Sequence, residues 1–96
     1  MEREIEKSEL KRIKQIAHHL KPEFHIGKEG VSKAFMESLL QGFKTKEVIK
    51  VKVLDNCSEE IPVIKIKLSD EQYGLSYIQK IGHVITLYKE LENEAR

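Results

Sequence analysis

The sequence predicts one small α/β domain, and three observations carry that reading. The chain has 96 residues, enough for one core and too few for two ordinary ones. Two stretches, 9–19 and 33–43, repeat apolar residues at helical spacing. A third, "EVIKVKVL", alternates apolar and charged residues with the period of a half-buried strand. We expect residues 1–96 to form a single domain, without internal repeats, low-complexity tracts or linkers.

Taken in order, Leu10, Ile13, Ile16, Ala17 and Leu20 form the stripe of a first amphipathic helix, with Ser8 as its N-cap. Lys11, Arg12 and Lys14 fall largely off that stripe. Pro22 disfavours helix at Lys21, so the chain becomes extended, and "EFHI" reads as a short strand ending at Gly27. Val31, Phe35, Leu39 and Phe43, with Met36 and Leu40, give a second helix from Lys33 to Phe43. Ser32 is its N-cap, and Val31 against Met36 matches a hydrophobic staple. Ile49, Val51 and Val53 then alternate with Lys50 and Lys52 in a strand.

The next segment, "SEEIPVIKIKLSDEQYG", is ambiguous. Ile64, Ile66 and Leu68 alternate as a strand would, yet Ile61, Ile64 and Leu68 share one helical face, with Pro62 in the first turn and Gly74 as a stop. The local pattern leans towards strand. "LSYIQKI" and "HVITLYKE" flank Gly82 as a hairpin, and "LENEAR" frays or adds a helical turn.

Composition narrows the function. No apolar run approaches the roughly 20 residues that span a bilayer, and the first residues are charged where a secretory leader needs an apolar core. A cytoplasmic location is expected. The single cysteine, Cys57, suits a reducing compartment and reads as an inert thiol. His18, His19, His25 and His83 lack companions at metal-ligand spacing, so no metal or cofactor is expected; of the adjacent pair, one should pack and one face solvent. No nucleophile or base with an orienting partner can be named, so we expect no enzyme. Phe24, Tyr73, Tyr77 and Tyr88 read as packing residues rather than base-stacking platforms.

Net charge is only +1, but its distribution is uneven. Residues 10–33 hold six lysines and arginines against two glutamates, a local excess of +4 on a nearly neutral chain. Lys11, Arg12, Lys14, Lys21, Lys28 and Lys33 make up that patch, which suits a polyanionic partner. Within it lies "HIGKEGVS". A strand leading through a glycine turn into a helix start presents backbone N–H groups at the positive end of the helix dipole, a ready phosphate site. Gly27 and Gly30 would admit a sugar-phosphate backbone, Lys28 would add charge, and Ser32 or Lys33 would reach neighbouring phosphates. Glu29 should point away. The spacing is not that of a nucleotide P-loop, which needs GxxxxGK[ST].

"AHHLKPEFHIGKEGVS", "EVIKVKV" and "IQKIGHVITLYK", in that order and spacing, closely resemble the bacterial YhbY-type members of the chloroplast RNA splicing and ribosome maturation (CRM) domain family. The resemblance runs from about Ser8 to Lys89. It implies a mixed four-stranded sheet with about three helices, similar to the C-terminal domain of translation initiation factor three, and it makes residues 61–73 mainly helical. It also implies binding of ribosomal RNA in large-subunit precursors. Family loop positions match Gly27, Lys28, Glu29 and Gly30, and the family's basic helix matches Lys11, Arg12 and Lys14. This chain departs from its relatives in having His83 after the hairpin glycine and an acidic "KELENEAR" end. The expected state is a monomer with RNA as partner and no membrane association. The alternative is a module that docks on a ribosomal protein through a sheet edge without touching RNA.

Overall fold

Two parallel strands joined through a helix set the position of the glycine loop. In the computed structural model, which describes residues 5–91, β1 (Phe24–Ile26) leads through that loop into α2 (Lys33–Gly42) and on to β2 (Val48–Val53), which lies parallel beside β1. Preceding them is α1 (Lys7–His18). After β2 come α3 (Ile61–Leu68), a single 3-10 turn at Glu71–Tyr73, and the hairpin of β3 (Ser76–Ile81) and β4 (Val84–Tyr88). The sheet order is β1-β2-β4-β3, with the pairs β2–β4 and β4–β3 antiparallel. This is the mixed four-stranded sheet with three helices that the family resemblance implied.

The sheet has two differently covered faces because side chains alternate along each strand. On one face Ile49, Val51, Val53, Ile85 and Leu87 meet Met36 and Leu39 of α2 and Ile64 and Leu68 of α3 in the main core. On the other, Val48 and Tyr88 meet only Ile13 and Ala17 of α1, with Ile5, Ile16 and Ile78 at the margin. Burial of such side chains is the dominant stabilising term, about 1.5–3 kcal/mol for each large aliphatic group. Ile78, next after Tyr77, reaches the second face by ordinary alternation, and the bulge between Tyr77 and Gln79 sets Gln79 on that face as well, opposite Thr86.

Residues 61–68 are helical, against their local pattern and in line with the family resemblance. Since β2 and β3 both run antiparallel to β4, they are parallel to each other, and joining parallel strands takes a long crossover of the kind helices supply. Ile64 and Leu68 are fully buried, whereas Ile66, which a strand would place beside them, is 72% exposed. Pro62 sits in the first turn, where its missing N–H leaves no gap. The helix stops at Leu68, earlier than expected, and the 3-10 turn ends at Gly74 with φ of 70°.

Other expectations need adjusting. Ser8 is not the N-cap of α1: the helix begins one residue before it, with Glu6 at the cap position and no side-chain cap. Ile5, just before the cap, packs against the cluster of Ile13, Ala17, Val48 and Tyr88. His18 and His19 are both exposed and meet edge to face at 5.4 Å, so neither packs inside. The hairpin turn at Gly82 and His83 is as expected, with the positive φ (61°) at glycine. Glu92 to Arg96, most of "LENEAR", lie outside the described residues.

Candidate functional site

The glycine loop is a four-residue turn closed by the Gly30 amide, which donates to the carbonyl of Gly27 at 2.9 Å. Lys28 and Glu29 form its exposed tip. Gly30 is buried with φ of +68°, a left-handed conformation that glycine adopts without strain. Beyond it, the Ser32 hydroxyl accepts from the Phe35 amide at 3.1 Å, the N-cap read from the sequence. Val31 and Met36 join the same core, as the staple requires.

The loop's closest neighbour is a second loop of the same chain. Oε1 of Glu59, which lies between β2 and α3, accepts from the Val31 amide at 2.8 Å, and Oε2 is paired with Nζ of Lys67. A β-carbon on Gly30 would lie 2.5 Å from the Glu59 carboxylate. The absent side chain at Gly30 therefore admits Glu59, where the sequence suggested a phosphate. The Lys67 ion pair, followed by the Val31 amide, holds the Glu59 carboxyl below the usual glutamate range. At Gly27 a β-carbon would make ordinary contacts with Asn56 and Leu54.

These internal bonds leave a defined set of donors for an external anion. The amides of Gly30, Val31, Ser32 and Phe35 are all used inside the chain. Among the described residues, those of Lys28 and Glu29 at the tip and of Lys33 and Ala34 in the first helical turn make no hydrogen bond. Lys28 and Lys33 are exposed beside them, and neither is in an ion pair among the described residues. Glu29 is exposed at the tip. An open groove of about 660 Å³ runs from the tip along the first turns of α2, with Phe24 and Phe35 in edge-to-face contact among its lining residues, beside His25, Ser38 and Asn56.

The basic helix is a separate part of the surface. Lys11 and Lys14 are exposed on α1, with Lys21 exposed just beyond it. Arg12 points its charge elsewhere: Nη1 and Nη2 donate to the Glu47 carboxylate at 2.8 and 3.3 Å, and Nη2 lies 3.5 Å from Glu9. These acidic partners, the Glu47 hydrogen bond first, raise the Arg12 pKa. The loop and the helix are not adjacent. The loop follows the Ile26 and Val53 end of the β1–β2 pair, whereas α1 packs at the Val48 end, on the opposite face from α2. Sequence reading missed Glu59 and Lys67, which no local motif marks, and assigned Lys50 and Lys52 only to a strand.

Fold and loop together define a class: a small α/β protein whose edge βαβ unit turns through glycines into a helix start flanked by exposed lysines. The chain belongs to the CRS1 / YhbY (CRM) domain family, whose model matches residues 5–89. It is 37% identical over 81 residues to the Probable RNA-binding protein YqeI of Bacillus subtilis, covering 81% of this chain and 80% of that protein. A Haemophilus influenzae protein named RNA-binding protein is 29% identical over 80 residues, covering 83% and 80%. A solution structure from Staphylococcus aureus superimposes with a TM-score of 0.74 at 26% identity, over 96% of this chain and 95% of that one.

Proposed function

We propose that this protein binds RNA, taking phosphates at the tip of the glycine loop and the first turn of α2, with a second contact on the basic face of α1. The observation that carries this reading is the cluster of four amides, of Lys28, Glu29, Lys33 and Ala34, that are unused among the described residues, beside the exposed charges of Lys28 and Lys33, which pair with none of those residues. Amides at a helix start and lysines together bind phosphate without reading a base. The predicted site set of Gly27, Lys28, Glu29, Gly30, Ser32, Lys33, Lys11, Arg12, Lys14 and Lys21 then divides by role. Lys28, Glu29 and Lys33 offer donors, Gly27, Gly30 and Ser32 shape the loop, and Lys11, Lys14 and Lys21 supply the outlying charge. Arg12 chiefly ties α1 to Glu47.

The names of the two curated relatives support RNA as the partner. The family resemblance supports ribosomal RNA in large-subunit precursors as the target, in the cytoplasm, by a monomeric single domain that binds without catalysing a reaction. Crosslinking in cells followed by sequencing of the bound RNA tests the target. Enrichment of large-subunit precursor RNA is expected. Association with ribosomal particles that survives complete RNA digestion would instead favour docking on a ribosomal protein.

A further inference from the structure

The two parts of the proposed RNA surface are separated by the length of β2. From Val48, under α1, to Val53, beside the loop, are five residue steps of about 3.3 Å, roughly 17 Å. The side chains of that strand on the α1 face, after Val48, are Lys50 and Lys52, and His25 of β1 is the register partner of Lys52. The register of the β2–β4 pair sets Thr86 beside Lys50 and Val84 beside Lys52, so β4 places no acid next to them; on the other side Glu23, just before β1, is the neighbour of Lys50. Lys52 and His25 are exposed. Lys50 is half-buried, and its Nζ donates to the carbonyl of Leu20, two residues past the end of α1, at 3.2 Å. That acceptor is an uncharged carbonyl, so this contact does not neutralise Lys50.

Two of the neighbouring acids are already engaged. Glu47, just before β2, is held by Arg12, and Glu23, just before β1, is paired with Lys46. At the other end, His25 is one of the residues lining the groove beside Lys28 and Gly27. The donor side chains thus continue from the end of α1, through Lys50 and Lys52, to His25 and the loop tip.

Resting on the RNA-binding reading, we infer that Lys50, Lys52 and His25 form a basic bridge across the open sheet face and carry one continuous RNA strand from α1 to the glycine loop. The lysines contact phosphates, and His25 offers a ring N–H donor in either protonation state. The loop and the helix are then two ends of one binding track.

The test is a salt titration of the full chain with large-subunit ribosomal RNA, with folding of each variant checked by amide spectra. Lys50→Gln and Lys52→Gln are each expected to weaken binding by about three- to tenfold and to reduce the salt slope by roughly one phosphate contact. Lys52→Arg should keep the parent affinity, and Lys44→Gln, just beyond α2 on the other side of the sheet, should change nothing. If both bridge variants keep parent affinity and slope while Lys28→Gln and Lys14→Gln weaken binding, the bridge is refuted and the RNA-binding reading stands. If the folded parent does not bind the RNA, both fall.

Discussion

The Val31 amide donates to Oε1 of Glu59 at 2.8 Å across 28 residues of sequence. The bond joins the loop before α2 to the loop before α3, and Lys67 holds the other carboxylate oxygen. A carboxylate of the chain itself thus satisfies one donor of the glycine loop and fixes the turn that presents the remaining amides outwards. Only a residue without a β-carbon at position 30 leaves room for it.

Glu59→Ala is expected to destabilise the fold by about 1–3 kcal/mol, because the Val31 amide loses its partner in a partly enclosed position. Glu59→Gln keeps an acceptor and should cost less. Denaturant unfolding measures both, and faster hydrogen exchange at Val31 in the alanine variant locates the effect.

Acid should release the same latch. The fold holds the Glu59 carboxyl below its ordinary value of 4.5, so the native state takes up this proton only at lower pH than the unfolded chain does. The stabilisation is therefore complete above about 4.5 and is lost as pH falls through the lowered native value. Protection of the Val31 amide, measured against its intrinsic exchange rate at each pH, should fall over that interval in the parent and stay constant in Glu59→Gln.

Gly30→Ala should lose about 1–2 kcal/mol from the left-handed backbone alone, and more from the collision with Glu59. A Gly30→Asp variant that fails to bind RNA would thus report a displaced Glu59 as well as repulsion of phosphate. Lys28→Ala is the cleaner probe of the loop: it should weaken RNA binding by roughly tenfold at most and flatten the dependence on salt.

Arg12→Gln should alter RNA affinity less than Lys14→Gln, since the guanidinium is already committed to Glu47. Its stability cost should stay below about 1 kcal/mol, as for other largely exposed pairs. Binding and unfolding measured on the same two variants separate these roles.

Tyr88 should mark the alkaline limit of the α1 contact. Burial, then its hydrogen bond to Glu9 at 2.9 Å, pushes the phenol up to about 12. Its stabilisation is complete below 10, the ordinary value, and disappears as pH rises through about 12. The phenolate component near 12 in an alkaline titration should be absent in Tyr88→Phe, whereas the upward shift that burial gives Tyr77 should remain.

What the sequence determined by itself was local. The stripe of Ile13, Ile16 and Ala17, the alternation of Ile49, Val51 and Val53, the cap at Ser32 and the turn at Gly82 each depend on residues within a few positions of one another. Those elements formed as their patterns require. The segment 61–68 was different, because Ile64, Ile66 and Leu68 satisfied two periods at once; only the crossover between β2 and β3, which leaves Ile66 in solvent, selected helix. The candidate site divides in the same way. "HIGKEGVS" was legible as a turn into a helix start, but the use of Gly30 was not, since the group that fills its space comes from Glu59. Nor could local pattern show that Arg12 is neutralised by Glu47, or that Lys50 and Lys52 lie between the basic helix and the loop. Side-chain periods and caps are short-range properties of the chain, whereas ion pairs, loop-to-loop bonds and the uncovered part of a sheet exist only after distant segments have packed.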